Sequence, residues 1–178
     1  MSGRTPVAEL LFRAEDAAPM SLDEATVRPW SQARTALEST AKGWLSTVRP
    51  DGRPHVAPVM PVWADDAPCF TTRPGSRKGR NLAGTPACAL SVSAADLDLD
   101  LVLEGDAVRL RDPALLRRVA DALAEKYSWE LTIRDGTVRD PGLPGEPEYA
   151  FYRITVLRGF GYGADGSTAT RWRFDRTG

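Results

Sequence analysis

The stretch Trp44–Trp63, "WLSTVRPDGRPHVAPVMPVW", reads as two extended segments folded about Pro50-Asp51-Gly52. The turn has a mechanism: proline presets its φ, and glycine accepts a positive one. Pro58 and Pro61 have no N–H to give to a ladder, so the second segment is expected to be an edge or bulged strand.

The same period continues outward. "ADDA" turns the chain into a third strand, "PCFTTR", and "ACALSVS" reads as a fourth. "LDLVLEGDAVRL" is a long strand expected to kink near Gly105, and strands around "AFYRITVLRGFGYG" and "TATRWRF" close the chain. Three helices interrupt this pattern. Ser31 is positioned to cap one running to Lys42, with Gly43 as its stop. "SRKGRNLAG" forms a short second helix. Asp112 at N-cap and Pro113 at N1 open a third, with Leu115, Leu116, Val119, Leu123 and Tyr127 as its apolar stripe. "IRDGTV" reads as a tight turn or small hairpin, and "GLPGEPE" as an exposed loop. Strands in succession with few crossover helices predict a mainly β protein, an antiparallel sheet closing as a barrel rather than a doubly wound parallel fold. No G-x-G-x-x-G follows a strand, which argues against a dinucleotide site of the Rossmann type.

Length and composition bound the rest. The 178 residues suit one domain, divided here into an N-terminal arm, 1–29, and a barrel domain, 30–178. A formal net charge of −1 argues against nucleic acid as a partner. Cys69 and Cys88 form no C-x-x-C pair and the chain has one histidine, so no metal site is expected. No stretch approaches a membrane span, and a cytoplasmic location is the expectation.

One segment stands out against this balance. "TTRPGSRKGRNL", residues 71–82, carries Arg73, Arg77, Lys78 and Arg80, while no Asp or Glu occurs from Ala67 to Ala95. Ser76 sits at an N-cap position, which puts cations in the first turn of a helix, the end that favours anions. A bound phosphate reverses the sign of that arrangement, because backbone N–H groups, the serine hydroxyl and the cationic heads then converge on it. Gly75 leaves room for the approach. A solvated basic turn is the plainer alternative. The Walker loop is excluded, since Gly-Lys-Ser/Thr is missing.

Other features are weaker. His55 opens the second strand, and with no serine–histidine–aspartate set to place around it a hydrolase has little support. In "GFGYG", Phe160 and Tyr162 share one face and the other is bare backbone, open to a ring, to another chain, or to a tight bend. In "TATRWRF", Thr170, Trp172 and Phe174 share one face opposite Arg171 and Arg173.

In the order strand–turn–strand, a strand ending in threonine, the S-R-K-x-R-N-L helix and the strand "LVLEGDAVRL", the chain resembles the pyridoxamine 5′-phosphate oxidase-like superfamily, from about Trp30 to Phe174. The resemblance implies a six-stranded antiparallel split β-barrel of the FMN-binding type, a homodimer with the cofactor at its interface, and FMN or the deazaflavin F-420 as that cofactor. Carried over by motif, Ser76, Arg77 and Lys78 hold the cofactor phosphate with Arg80 nearby. Phe70, Thr71 and Thr72 run beside the ribityl chain. His55, Val56, Ala57, Pro58 and Val59 line the ring, largely through backbone, and Arg171 and Trp172 close the pocket. Vitamin B6 oxidases carry a cationic pair where this chain has His55 and Met60, and their R-L-x-x-R motif is absent, so pyridoxamine phosphate oxidation is not expected. The implied activity is hydride transfer between the cofactor and an unsaturated small molecule. Tyr152, Tyr162 and His55 are the candidate proton donors, with no catalytic residue assigned. A non-catalytic flavin, deazaflavin or haem carrier on the same fold is the alternative.

Overall fold

The computed structural model describes residues 5–12 and 22–174. Six strands form the barrel wall: β2 (Gly43–Val48), β3 (Pro54–Val59), β5 (Ala67–Thr72), β6 (Ala87–Ala94), β7 (Leu99–Arg109) and β10 (Glu148–Gly163). They are hydrogen-bonded in the order β3-β2-β6-β7-β10-β5, every pair antiparallel. No ladder joins β5 back to β3, so the sheet stays open at one seam and the expected split barrel is the observed fold. Five shorter strands extend it: β1 (Val7–Leu10) on β11 (Ala169–Arg173), β4 (Val62–Ala64) on β5, and the β8–β9 hairpin (Thr132–Arg134, Thr137–Arg139) beside β10. Part of the expected arm is therefore a strand, and residues 13–21 of that arm lie outside the described residues.

The turns follow the residue chemistry. Asp65 and Asp66 both take positive φ, 53° and 58°, joining β4 to β5 through two left-handed residues. Asp135 and Gly136 do the same between β8 and β9. These are the mirror-image turns whose twist suits a two-residue hairpin.

Inward-facing Leu45, Phe70, Leu90, Leu101, Leu103 and Ile154 fill the barrel, with helix α1 (Trp30–Ser39) packed on this core through Ala33, Ala36 and Leu37. A second core lies outside the wall, where helix α3 (Pro113–Tyr127) presses Leu116, Val119 and Leu123 on Val62, Cys69 and Phe151. Asp112 caps α3, its carboxylate accepting from the Ala114 and Leu115 N–H groups at 2.9 and 3.0 Å.

Three sequence expectations need correction. The first helix begins at Trp30 after Pro29 and ends at Ser39, so Ser31 is inside it and is not its cap. Gly43 is the first residue of β2, not a helix stop. Strand β7 keeps its register through Gly105, and the irregularity falls on its partner, between Val156 and Arg158 of β10. Gly105 is needed because a Cβ there would stand 2.1 Å from the Thr155 carbonyl oxygen.

The bare face of "GFGYG" is occupied by the chain's own Trp172. Its indole is fully buried, lies across Gly159 and Gly161, and donates from Nε1 to the Arg28 carbonyl at 3.0 Å. A Cβ on Gly161 would come within 2.4 Å of that ring. Gly161→Ala should therefore cost about 1–3 kcal/mol by overpacking. Gly84→Ala, at the end of helix α2 (Arg77–Gly84) where a Cβ meets nothing within 4 Å, should lose nothing and gain up to about 1 kcal/mol. Urea unfolding of the two variants measures the contrast.

Candidate functional site

The open seam is where the basic loop comes to rest. Strand β5 ends at Thr72, the chain turns through Arg73, Pro74 and Gly75, and α2 starts at Arg77. Ser76 is the N-cap, with φ −70° and ψ 163°. Its hydroxyl accepts from the Gly79 N–H at 3.1 Å and lies 2.9 Å from the Thr72 hydroxyl. That pair ties the helix start to the strand end. Gly79 makes the turn possible: a Cβ there would sit 2.6 Å from the Arg73 and Pro74 carbonyl oxygens. Gly75, by contrast, faces open space. A cleft of about 530 Å³ opens beside the loop, lined by Arg73, Pro74, Gly75, Ser76 and Glu148.

The first turn of α2 contains no acid, and Arg77 and Lys78 sit there against the helix dipole. Lys78 reaches across the seam, donating from Nζ to the Pro58 carbonyl on β3 at 3.4 Å. Half-burial without a carboxylate partner holds its ammonium below the ordinary lysine range. Arg80 folds back to donate to the Gly75 carbonyl, stiffening the loop from behind.

Strand β3 pairs with β2 alone, as its prolines predict. The Pro58 carbonyl points away from β2 toward Lys78, and backbone direction repeats every second residue, so Pro54 and Val56 face the same free edge. Two of those three positions lack an N–H, which leaves Val56 as the donor of this edge. His55, Ala57 and Val59 turn their backbone groups to β2, opposite Thr47, Leu45 and Gly43. The His55 imidazole is held below its ordinary pKa of 6.5, first by burial and then by Arg49, Lys78 and Arg77.

Thr47 and Asn81, to which the sequence assigns no role of their own, extend this contact. The Asn81 side chain is buried and donates to the Thr47 hydroxyl at 3.0 Å. That hydroxyl donates in turn to the His55 carbonyl at 3.3 Å and lies 3.5 Å from Nδ1 of the ring. Helix α2, strand β2 and the edge strand are thereby one bonded unit.

The remaining candidates lie apart from this cluster or point away from it. Thr71 is buried and donates to the Ala150 carbonyl at 3.3 Å. Phe70 is sealed in the barrel core, stacked on Tyr152 with ring centroids 5.4 Å apart. Trp172 is core, and Arg171 pairs with Glu9 of β1 at 2.7 Å. Of the candidate proton donors, Tyr152 is buried and its phenol pushed upward by burial, Tyr162 is exposed, and His55 stands beside Lys78. Among the described residues no group of three or more His, Cys, Asp or Glu side chains could hold a metal ion. Among the described residues no helix is long and apolar enough to cross a membrane.

The family model described as pyridoxamine 5′-phosphate oxidase matches residues 30–162. No curated protein matches the chain. Among solved structures, a conserved hypothetical protein of Mycobacterium tuberculosis is 22% identical over 85% of this chain and 89% of its own, with a TM-score of 0.59. An F420 reductase is 25% identical over 71% of this chain and 94% of its own, with a TM-score of 0.54. A heme binding protein from Mycobacterium smegmatis is 21% identical over 81% of this chain and 58% of its own, with a TM-score of 0.57.

Because the chain has one histidine, its titration is read without assignment. The His55 ring resonance should titrate with a midpoint below 6.5, moving toward 6.5 in Lys78→Ala. The sign follows from the depressed pKa: neutral His55 stabilises the fold above the unfolded value, and that contribution is lost as pH falls from 6.5 through the folded midpoint. Proton NMR across pH 4 to 8 checks both, with the window set by roughly the histidine range.

Proposed function

Since the chain belongs to the pyridoxamine 5′-phosphate oxidase family, we propose that it is an oxidoreductase using FMN or the deazaflavin F-420 to reduce an unsaturated small molecule. The observation that carries this reading is the first turn of α2, where Ser76, Arg77 and Lys78 gather with no acid among them at the open seam. The residues fit a phosphorylated cofactor. An anion there is opposed to the helix dipole in the favourable sense and relieves the crowding of like charge. The likeness to an F420 reductase supports the deazaflavin as much as the flavin.

In this reading the Ser76 hydroxyl, the N–H groups of the first turn, Arg77 and Lys78 hold the phosphate, and Arg80 keeps the loop in shape through Gly75. Thr72 orients Ser76. The free edge of β3, from His55 to Val59, supports the ring through the Val56 N–H and the carbonyls beside it. When bound, such a cofactor supplies the hydride, and the protein supplies orientation and exclusion of water. His55 is the proton-bearing group best placed to act. Its depressed pKa keeps it neutral near pH 7, so it offers one N–H instead of a charge. Phe70, Arg171 and Trp172 contribute through the fold, since their side chains are committed elsewhere.

The partner in this proposal is a second copy of the chain. Pro58, Trp44, Ser91, Val102 and Phe160 lie side by side across five strands, on the face turned away from the barrel core. Trp44 is 51% exposed and its neighbour Val56 54%, an apolar patch beside the cofactor strand. Covering it with another copy brings two such edges together.

Titration of the purified protein with FMN and with F-420 tests the reading. One of them should bind below millimolar, and Arg77→Ala and Lys78→Ala should each weaken it by about 1.5–3 kcal/mol, the range for hydrogen bonds to charged groups. Unchanged affinity in both variants moves the phosphate elsewhere. Turnover of a reduced cofactor with enones or quinones separates an enzyme from a carrier. Light scattering should find a dimer that Trp44→Asp splits, and a monomeric wild-type protein with cofactor bound rules out the shared interface.

A further inference from the structure

Strand β10 is held along one edge by β7, but its other edge is divided. Strand β5 pairs with Ala150–Arg153, and β11 pairs with Arg158–Tyr162. Between them, among the described residues, no ladder covers residues 154–156, Leu157 accepting from the Phe174 N–H at 3.4 Å, and a cleft of about 610 Å³ lies at that gap. Ile154, Thr155 and Val156 form part of its lining, and it lies against the Asp65-Asp66 turn at the start of β5. The phosphate loop is at the other end of the same strand, five residue steps or about 17 Å away. The two sites share no lining residue.

The cleft combines two kinds of surface. One is aromatic: Trp30, Trp63 and Phe174, with Trp30 set edge-on to Phe174 at 5.0 Å and 6.3 Å from Trp63. The other is cationic: Arg34, Arg118 and Arg153, against the carboxylates of Asp65 and Asp66. Arg118 and Arg153 each spend a single nitrogen, Nη1, on the two oxygens of Asp65. Neither grips a carboxylate with its full fork, which takes two parallel N–H bonds. Both side chains keep substantial exposure, 59% and 39%.

We propose that this cleft is a second binding site, for a planar aromatic carboxylate whose ring lies along the Trp63–Phe174 wall and whose carboxylate is held by Arg118 and Arg153. The volume lies within the range of small-molecule pockets, which runs from about 300 to 1,000 Å³. Two guanidiniums anchored on one aspartate are already oriented, so the guest anion finds its donors in position. A cationic guest meets competition instead, since the Arg34 guanidinium already stands 5.3 Å from the centre of the Trp63 ring. A saturated acid matches the charge but not the flat wall.

Equilibrium dialysis with 2-naphthoate, 2-naphthylmethylammonium and cyclohexanecarboxylate tests this on the full chain. The expected result is saturable binding of 2-naphthoate at one per chain, with the other two weaker by about tenfold or more. The Arg118→Gln/Arg153→Gln double variant, whose changes are at exposed side chains, should weaken 2-naphthoate by about tenfold or more. Lys78→Ala should leave its affinity unchanged, and so should saturation with FMN or F-420. Equal binding of the ammonium, indifference to the double arginine variant, or absence of saturable 2-naphthoate binding overturns the site. Loss of binding in Lys78→Ala also overturns it, by putting the guest at the phosphate loop. These outcomes are independent of whether a cofactor binds at α2, so either proposal can fail alone.

Discussion

Strand β10 is the constraint from which the rest of the molecule follows. It is sixteen residues long, and no single neighbour on its second edge matches it. One edge runs with β7 almost throughout, while the other is divided between β5 and β11. The β5 contact turns the wall inward and brings the 71–82 segment to the seam. The β11 contact carries Trp172 onto the glycine face and locks the barrel from inside. The irregularity between Val156 and Arg158 lets one strand serve both directions, since a bulge adds local twist. Between those two neighbours, Ile154, Thr155 and Val156 line an aromatic-walled cleft.

The basic loop at residues 73–80 depends on a smaller arrangement of the same kind. Ser76 is bonded both to Thr72 on the strand and to Gly79 in the helix, so neither can shift without the other. Positive charge is gathered at the end of a helix that disfavours it, and Lys78 is half-buried with a carbonyl as its acceptor. Such a configuration is electrostatically unfavourable by itself, and an anion placed there would relieve it. Asn81, Thr47 and His55 carry the helix position on to the edge strand, so loop and edge form one platform.

Much of the fold was legible because its signals are local. The prolines of "HVAPVMPVW" name an edge strand, the aspartates of "ADDA" and "RDG" name tight turns, and Asp112-Pro113 names a helix start. Each depends on the chemistry of one or two residues. The cations of 77–80 were legible for the same reason. What the sequence hid is long-range. The bare face of "GFGYG" has several possible occupants until Trp172 is seen against it, and the Asn81–Thr47 bond joins residues 34 positions apart. Ser31 reads as a cap because serine favours that position, yet the cap is two residues earlier, at Pro29. Phe70 and Arg171 show a further limit. A motif assigns a residue to a strand beside a site, but packing decides which way its side chain is spent.

The free edge of β3 has a consequence for how copies of the chain meet. An exposed strand edge next to an apolar patch is the template on which chains add to one another, and no ladder on the far side of β3 removes the hazard. Pro54 and Pro58 answer this without covering the edge. They delete the N–H groups that an invading strand would need, and they leave carbonyls and the single Val56 donor in place. The edge is thus open to a small molecule that wants one or two hydrogen bonds and closed to a strand that requires a continuous row of them.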